Sequence, residues 1–210
     1  MIRQALGMLV LATASVAAGQ NSDRQALHQR LAAVKESIVR NQAKLRPYSW
    51  TESTQISVKG KVKKLEQNEC RYGPDGHVMK TRIGAGPSGA KLPGDMDRIG
   101  SLILRYVPPE PGAMQEAFQA GKASLDKASG TLTFRDYAKP GDSLTLAFDQ
   151  ASRRLRSFEV TTFLDEPRDV ATINGQFSKL PDGANFLEEY EFNSAGKQIR
   201  IKTTNFGHTK

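Results

Sequence analysis

The last third of the chain alternates apolar and polar residues in short runs that turn residues separate. Between residues 143 and 206, apolar side chains recur at every second position, as at Leu144, Leu146 and Phe148. The runs are separated by clusters of Asp, Asn, Pro and Gly, for example Leu180-Pro-Asp-Gly183. A period of two with such punctuation is typical of antiparallel strands that short turns connect. The pattern predicts a meander with one apolar face, which the rest of the chain must cover.

The first half of the chain predicts one helix followed by three strands. The apolar residues at helical spacing are Leu27, Leu31, Val34, Ile38 and Leu45. A capping box that begins at Ser22 and a proline at Pro47 set the limits of this helix. Residues 48–72 then alternate as a long hairpin around a two-residue turn at Lys59-Gly60, and residues 77–83 form a third strand. The stripe of apolar residues on the helix is expected to pack on the sheet.

The middle of the chain predicts two further helices. Asp95 caps a helix that Pro108-Pro109 ends, and a shorter helix follows as far as Gly121. Residues 84–94 precede them and contain glycines in the spacing of a dinucleotide fingerprint. That fingerprint requires a helix that opens at the third glycine inside a parallel unit, and prolines interrupt the segment here. We therefore interpret it as a loop, and the whole pattern as an α+β fold.

Residues 1–19 have the three parts of a secretory signal. Arg3 provides the positive start, residues 5–14 are apolar, and the small residues from Ser15 to Gly19 offer a cleavage site. The apolar run is too short for a comfortable membrane span. We predict a signal peptide at 1–19, a single domain at 20–210, and a periplasmic or secreted protein. A buried N-terminal helix is the alternative for this segment.

The chain is basic, with 30 Lys and Arg residues against 22 Asp and Glu residues, a net charge of +8. Such a surface attracts anionic partners, and export argues against nucleic acid as one of them. Lys59, Lys61, Lys63 and Lys64 lie at one end of the predicted hairpin. They are either a solvated strand end that prevents aggregation or a patch that binds an anionic head group. The protein is expected to be a monomer.

The residue types that carry most catalysis and metal binding do not form a recognised motif. No pair among His28, His77 and His208 has the spacing of metal ligands, and no nucleophile elbow is present. Cys70 is the single cysteine, so no internal disulfide can form, and it is either a buried apolar residue or an exposed thiol. The sequence predicts no enzyme, no metal and no cofactor.

Seven short motifs between residues 48 and 183 resemble a known family. They are Tyr48-Ser-Trp-Thr-Glu-Ser-Thr54, Val58-Lys-Gly-Lys-Val62, Arg71-Tyr-Gly-Pro-Asp-Gly76, Arg105-Tyr-Val-Pro-Pro109, Phe118-Gln-Ala-Gly-Lys122, Phe134-Arg-Asp-Tyr-Ala-Lys-Pro-Gly-Asp142 and Leu180-Pro-Asp-Gly183. With the order of elements, they resemble a bacterial branch of the periplasmic lipoprotein-carrier superfamily of LolA/LolB type. The resemblance implies a strongly curved antiparallel sheet, an open half-barrel, with an N-terminal helix and a two-helix lid on its concave side.

The same resemblance implies an apolar cavity between the sheet and the helices. The residues expected to line it are Trp50, Ile56, Ile99, Ile103, Tyr106, Met114, Phe118, Phe148 and Phe158. The implied function is non-enzymatic binding of an acyl chain, a lipid or a lipoprotein in the bacterial envelope. The alternative is a periplasmic scaffold or interaction protein whose own side chains fill the core. Core residues and cavity residues look alike in a sequence, so both interpretations stay open at this point.

Overall fold

The computed structural model describes residues 14–84, 92–149, 151–152 and 154–210, and for residues 14–24 it describes the backbone alone. The helices are α1 (Ala14–Leu45), α2 (Met96–Tyr106) and α3 (Pro111–Gln119). The strands are β1 (Ser49–Val58), β2 (Lys61–Tyr72), β3 (Val78–Arg82), β4 (Ala123–Asp126), β5 (Thr131–Arg135), β6 (Ser143–Phe148), β7 (Leu155–Phe163), β8 (Val170–Lys179), β9 (Asn185–Ser194) and β10 (Ile199–Thr209). Each predicted helix and strand has its counterpart here.

The ten strands form one antiparallel sheet in the order β3-β2-β1-β10-β9-β8-β7-β6-β5-β4. Its edges are β3 and β4, so the sheet stays open. The first hairpin joins the last strand, with Ile56 of β1 opposite Ile201 of β10. All other neighbouring strands follow one another along the chain. The predicted α+β class, an open half-barrel of antiparallel strands with three helices, is confirmed.

The turn between β1 and β2 shows why the first hairpin forms where the sequence predicts it. Lys59 and Gly60 both have positive φ angles, 52° and 72°. Two consecutive positive φ angles are those of a type I′ turn, whose twist matches the twist of paired strands. Glycine accepts this conformation without strain, and the lysine accepts it at some cost. The turn fixes the register of the hairpin, in which Trp50 lies opposite Cys70.

One face of the sheet carries the core, and we call it the inner face. The helices α1, α2 and α3 pack against it. The fully buried strand residues with the largest side chains are Leu132, Phe134, Leu144, Leu146, Val160, Ile173, Phe192 and Ile199. Leu31 and Val34 of α1 are buried in the same cluster. A smaller cluster, with Tyr48, Leu180 and Ala184 at its centre, joins the end of α1 to the β8–β9 turn.

The start of the first helix differs from the prediction, whereas the start of α2 agrees with it. The first helix begins at Ala14 and continues through Ser22, where the sequence suggested a capping box. Alanine favours a helix strongly, so the alanine-rich stretch before Ser22 extends it. At α2, Asp95 occupies the N-cap position but makes no side-chain capping bond. Its carboxylate instead faces Arg98 at 3.4 Å and Lys197 at 3.5 Å.

Two sequence predictions fall wholly or partly on residues outside the described ranges. Most of the predicted signal peptide lies in residues 1–13, and most of the glycine-rich loop lies in residues 85–91. The signal peptide at 1–19 and the single domain at 20–210 therefore stay predictions.

Candidate functional site

Residues 95–121, which contain α2 and α3, cover part of the inner face, and we call this segment the lid. Ile99 and Tyr106 of α2 and Met114 of α3 are fully buried, with 0% of their surface exposed. They belong to one continuous core with the apolar side chains of the inner face. In this structure, the protein's own side chains therefore occupy the space between the lid and the sheet.

Eight of the nine residues predicted to line a cavity belong to that core or pack against it. They are Ile56, Ile99, Ile103, Tyr106, Met114, Phe118, Phe148 and Phe158. Phe118 lies at the border, half-buried, with its ring centre 5.6 Å from that of His28 in α1. The structure thus brings these eight residues together from the sheet and the lid. Their role as ligand contacts stays a prediction.

A buried polar network anchors the C-terminal end of α2. The Tyr106 hydroxyl donates a hydrogen bond to Asp142 Oδ2 at 2.6 Å and lies 2.9 Å from Thr162 Oγ1. The same Asp142 oxygen accepts bonds from the backbone N–H groups of Ala138 and Lys139. Burial, and then the bond to Asp142, raises the pKa of Tyr106, so its hydroxyl stays protonated and donates at neutral pH. A buried network of this kind is costly to break.

A second tyrosine fixes the connection between the two lid helices. The Tyr137 hydroxyl accepts a bond from the Glu110 N–H at 2.7 Å and lies 3.2 Å from the Glu110 carbonyl oxygen, to which it can donate. Burial raises the pKa of Tyr137 to about 12. Its ring centre lies 6.0 Å from that of Tyr106. The α2–α3 junction is therefore held by the turn between β5 and β6.

The N-terminal end of α2 has weaker attachments. Arg98 pairs with Asp165 of the β7–β8 turn, and Asp95 lies 3.5 Å from Lys197 of the β9–β10 turn. The side chain of Arg98 is 55% exposed and that of Asp165 is 36% exposed. Exposed pairs of this kind contribute little stability, because water screens them. The polar contacts at the two ends of α2 thus differ, buried at Tyr106 and exposed at Arg98, while Ile99 packs in the core beside Arg98.

Trp50, the ninth predicted residue, lies in a separate aromatic group. Its ring stacks on His208 with centres 5.9 Å apart and lies 5.3 Å from that of Tyr72. Its indole N–H donates to Asn205 Oδ1 at 3.1 Å. Burial lowers the pKa of His208. Trp50 is half-buried in β1, between β2 and β10, and is not among the apolar residues that pack on the lid core. Its predicted role as a ligand contact, like that of the other eight residues, stays a prediction.

The inner face becomes polar toward β3, which the sequence analysis did not anticipate. Lys80 Nζ lies 2.7 and 2.8 Å from the two carboxylate oxygens of Glu52, whose residue is 8% exposed. Burial alone would lower the pKa of Lys80, but the Glu52 carboxylate outweighs this and raises it. Asn68 and Thr203 are buried nearby on the strands that flank β1. The sequence does contain an indication of this polar region, because the alternation places the carboxylate of Glu52 on the same strand face as Trp50 and Ile56.

The four lysines of the β1–β2 hairpin do not form one uniform patch. Lys61 lies opposite Val58 and Lys64 opposite Ile56, so both belong to the inner-face side of the hairpin. Lys63 has no partner in the register, which shifts at this point as in a β-bulge. Lys64 forms an ion pair with Glu66. An anionic head group at Lys59, Lys61, Lys63 and Lys64 stays a prediction.

Among the clefts on the surface of the described residues are two that do not lie between the lid and the inner face. One has a volume of about 310 Å³ and is lined by α2 residues together with Lys139 and Leu164. The other has a volume of about 430 Å³ and lies where the residue after α1, Arg46, meets the β2–β3 turn. It is lined by Arg46, Arg71, Tyr72, Gly73, Pro74 and Met79.

Within the described ranges, no three His, Cys, Asp or Glu side chains are placed to hold a metal ion. Cys70 is fully buried, which agrees with the first of the two interpretations from the sequence, a buried apolar residue, and not with an exposed thiol. Burial raises the pKa of its thiol to about 11, so the reactive thiolate is scarce at neutral pH. None of the helices, as far as they are described, is long and apolar enough to span a membrane.

No family model and no curated protein matches the chain. The solved structures that are similar to it include the following two. A DUF1329 family protein from Desulfovibrio piger is 10% identical, with a TM-score of 0.44, over 89% of this chain and 92% of the other. A LolA superfamily protein from Nitrosomonas europaea is 10% identical, with a TM-score of 0.39, over 83% of this chain and 92% of the other.

Proposed function

We propose that the protein is a non-enzymatic envelope protein that binds an acyl chain, free or as part of a lipid or lipoprotein, between the inner face and the lid. The observation that carries this proposal is the unequal attachment of α2. Its apolar side lies on the inner face, its Tyr106 end is anchored, and its Arg98 end is held by exposed ion pairs. The signal peptide predicted at residues 1–19 supports a place in the envelope.

The physical basis is the transfer of hydrocarbon out of water. Burying a methylene group stabilises by about 0.8 kcal/mol, so a long acyl chain gains several kcal/mol in a dry apolar space. The lid must leave that space first, because Ile99 and Met114 fill it in the structure. A rotation about the Tyr106 end would expose the inner face and keep α2 attached. Met114 suits such repacking, since methionine adapts to irregular spaces.

A scaffold with a self-filled core is the second candidate. The complete burial of Ile99, Tyr106 and Met114 favours it, because a core at native density needs no ligand. The two candidates differ in one measurable respect. A carrier binds an acylated ligand at the expense of its own core contacts, whereas a scaffold binds none.

The test is saturable binding of a neutral fluorescent acyl probe to the folded protein. Phe118→Asp places a charge at the border of the lid core, and Ile103→Asp places one inside it. We expect both to weaken probe binding at least tenfold, because a buried charge is strongly disfavoured in an apolar site. Ser53→Asp is the control, since Ser53 lies on the opposite face of β1 and should leave binding unchanged.

Circular dichroism establishes that each variant is folded before its binding is compared. Phe118→Asp is the more tolerant variant, because Phe118 is only half-buried. The absence of saturable binding by the folded wild-type protein would contradict the carrier proposal and favour the scaffold. Equal loss of binding in Ser53→Asp would show that the probe does not bind under the lid.

A further inference from the structure

The cleft of about 430 Å³ at the end of α1 has the composition of an anion site, and we call it the arginine cleft. Arg46 follows the last residue of α1, and Arg71 is the next-to-last residue of β2. The structure brings these two arginines, which are 25 residues apart in sequence, to the lining of one cleft. The arrangement depends on the tertiary fold, because the smaller core around Tyr48 and Leu180 holds the end of α1 at this corner of the sheet.

Among the described residues, neither arginine forms an ion pair with a carboxylate. Arg46 instead reaches over the β2–β3 turn, with Nη2 3.4 Å from the point where a Cβ on Gly76 would lie. The acid of that turn is Asp75, whose carboxylate accepts a bond from the His77 N–H at 3.0 Å. Neither arginine is therefore neutralised by an ion pair among the described residues, and the Asp75 carboxylate lies beside Gly73 of the cleft lining. Guanidinium groups suit phosphate oxygens, which they bind through several parallel hydrogen bonds.

The other side of the arginine cleft is apolar. Tyr72, Pro74 and Met79 line it, and Met79 is 47% exposed. Tyr72 also faces inward, because it shares the face of β2 that carries Cys70 opposite Trp50. Burial raises the pKa of Tyr72, so its hydroxyl is a hydrogen-bond donor at neutral pH. A charged wall beside an exposed apolar wall fits a ligand with an anionic group and a hydrocarbon part.

We propose that the arginine cleft binds the phosphate group of an amphiphile, with Arg46 and Arg71 as its charged ligands and Met79 against its apolar part. This inference goes beyond the proposed function, because the cleft lies at the opposite end of the sheet from the lid, which pairs with the β7–β8 and β9–β10 turns. It places the head-group site at the β2–β3 turn, at the opposite end of β2 from Lys61, Lys63 and Lys64. Binding at the arginine cleft does not require the lysines of the β1–β2 hairpin.

The single tryptophan provides the readout. Its ring centre lies 5.3 Å from that of Tyr72, a wall of the cleft, so occupation of the cleft should alter Trp50 fluorescence. The full-length protein is titrated with inorganic phosphate, with phosphatidylglycerol vesicles and with phosphatidylcholine vesicles. The variants are Arg46→Gln and Arg71→Gln, and the control is Arg156→Gln, an exposed arginine on β7.

We expect wild-type protein and Arg156→Gln to bind the phosphatidylglycerol vesicles, and Arg46→Gln and Arg71→Gln to bind them about tenfold more weakly, because each loses a charge-assisted hydrogen bond. If inorganic phosphate competes with the phosphatidylglycerol vesicles for the protein, the free anion is a ligand of the cleft as well. Binding of inorganic phosphate alone would assign the cleft to free phosphate and overturn the amphiphile part. Equal binding by all variants would overturn the anion site, and so would equal binding to both kinds of vesicle, because phosphatidylcholine carries a phosphate but no net negative charge.

The neutral acyl probe separates this proposal from the proposed function. It carries no phosphate, so Arg46→Gln and Arg71→Gln should bind it like wild type. Retained probe binding with no effect of either arginine on vesicle binding contradicts the arginine cleft alone. Loss of probe binding in the folded wild type, with arginine-dependent vesicle binding intact, contradicts the lid site alone.

Discussion

Gly175 lies in the middle of β8 between two aromatic residues of the neighbouring strands. It is opposite Phe158 on β7 and opposite Tyr190 on β9. A glycine inside a strand lacks a side chain to pack and loses more entropy on folding than other residues. Here the Phe158 ring covers the glycine, so a Cβ at this position would overlap ring atoms. The ring needs this space, which explains a glycine at a buried strand position.

We therefore expect Gly175→Ala to destabilise the protein by about 1–3 kcal/mol, as overpacking of a core does. Phe158 would have to leave its position between Gly175 and Phe177, whose ring centre lies 6.1 Å away. The measurement is unfolding by urea, followed through far-ultraviolet circular dichroism.

The matched control for this prediction is Gly100→Ala in α2. A Cβ there meets no atom within 4 Å, and alanine favours a helix over glycine, so stability should rise by about 0.5–1 kcal/mol. Unchanged stability of Gly175→Ala would mean that the Phe158 ring moves aside freely and that the proposed packing is wrong.

At the level of single residues, the alternation of apolar and polar positions predicted on which face of a strand a side chain lies. It did not predict which other side chains that residue contacts. It placed Trp50 and Ile56 on the inner face correctly, because a period of two follows from strand geometry alone. It did not show that Trp50 stacks on His208, which is 158 residues further along the chain. Glu52 lies in the same alternation, but the pattern does not show that it forms an ion pair, since its partner Lys80 belongs to a different strand. Such pairs depend on tertiary contacts that a local pattern does not contain.

The lid is the element whose movement the proposed function requires. Its polar anchor at Tyr106 is buried, whereas the polar contacts at its opposite end, such as Arg98 with Asp165, are exposed. The sequence predicted both helices of the lid, because proline and glycine mark their limits. It could not predict which end is anchored, because Asp142 and Thr162 come from the sheet, 36 and 56 residues away from Tyr106.

Covalent attachment of the loose end should abolish acyl binding. Arg98→Cys and Asp165→Cys, joined by a short bis-maleimide linker, would hold α2 to the β7–β8 turn. Cys70 is fully buried and should not react with the linker in the folded protein. We expect the cross-linked protein to bind the neutral acyl probe at least tenfold more weakly than the same double variant without linker, because the lid can no longer leave the inner face. Fluorescence titration of both samples measures the difference.

The control for this cross-link is a pair within the sheet. Lys202→Cys and Glu189→Cys, which replace an exposed ion pair between β10 and β9, take the same linker without touching the lid. Probe binding should not change in that sample. Full binding by the protein cross-linked at 98 and 165 would show that the lid stays in place when the ligand enters.

For the whole molecule, the pairing of β1 with β10 determines the shape of the sheet. It brings the first hairpin to the last strand, so the polar end of the inner face lies beside β9 and β10. The sequence predicted the meander, because consecutive strands with short turns usually pair with each other. It contained no local signal for β1 against β10, since strand alternation says nothing about distant partners. The resemblance to carriers implied the half-barrel, and the structure confirms it.

Hydrogen exchange can show whether the whole molecule behaves as a carrier or as a scaffold. In the free protein, amides of β7–β10 should exchange most slowly, and those of β3 fastest among the strands, since β3 is an edge and all five of its residues are exposed. With a saturating acyl ligand, a carrier must give up contacts of the lid with the inner face. We therefore expect amides of α2 to exchange several-fold faster, while those of the central strands keep or increase their protection.

This outcome separates the two candidates because ordinary ligand binding slows exchange throughout a protein. Faster exchange in α2 alone requires that the ligand replaces the side chains of Ile99 and Ile103 on the inner face. The cross-link between positions 98 and 165 should suppress the effect, and the link between positions 189 and 202 should not. If the ligand binds and α2 keeps its protection, the ligand lies elsewhere and the lid is ordinary core. If no ligand binds and exchange stays unchanged, the scaffold with a self-filled core is the correct description.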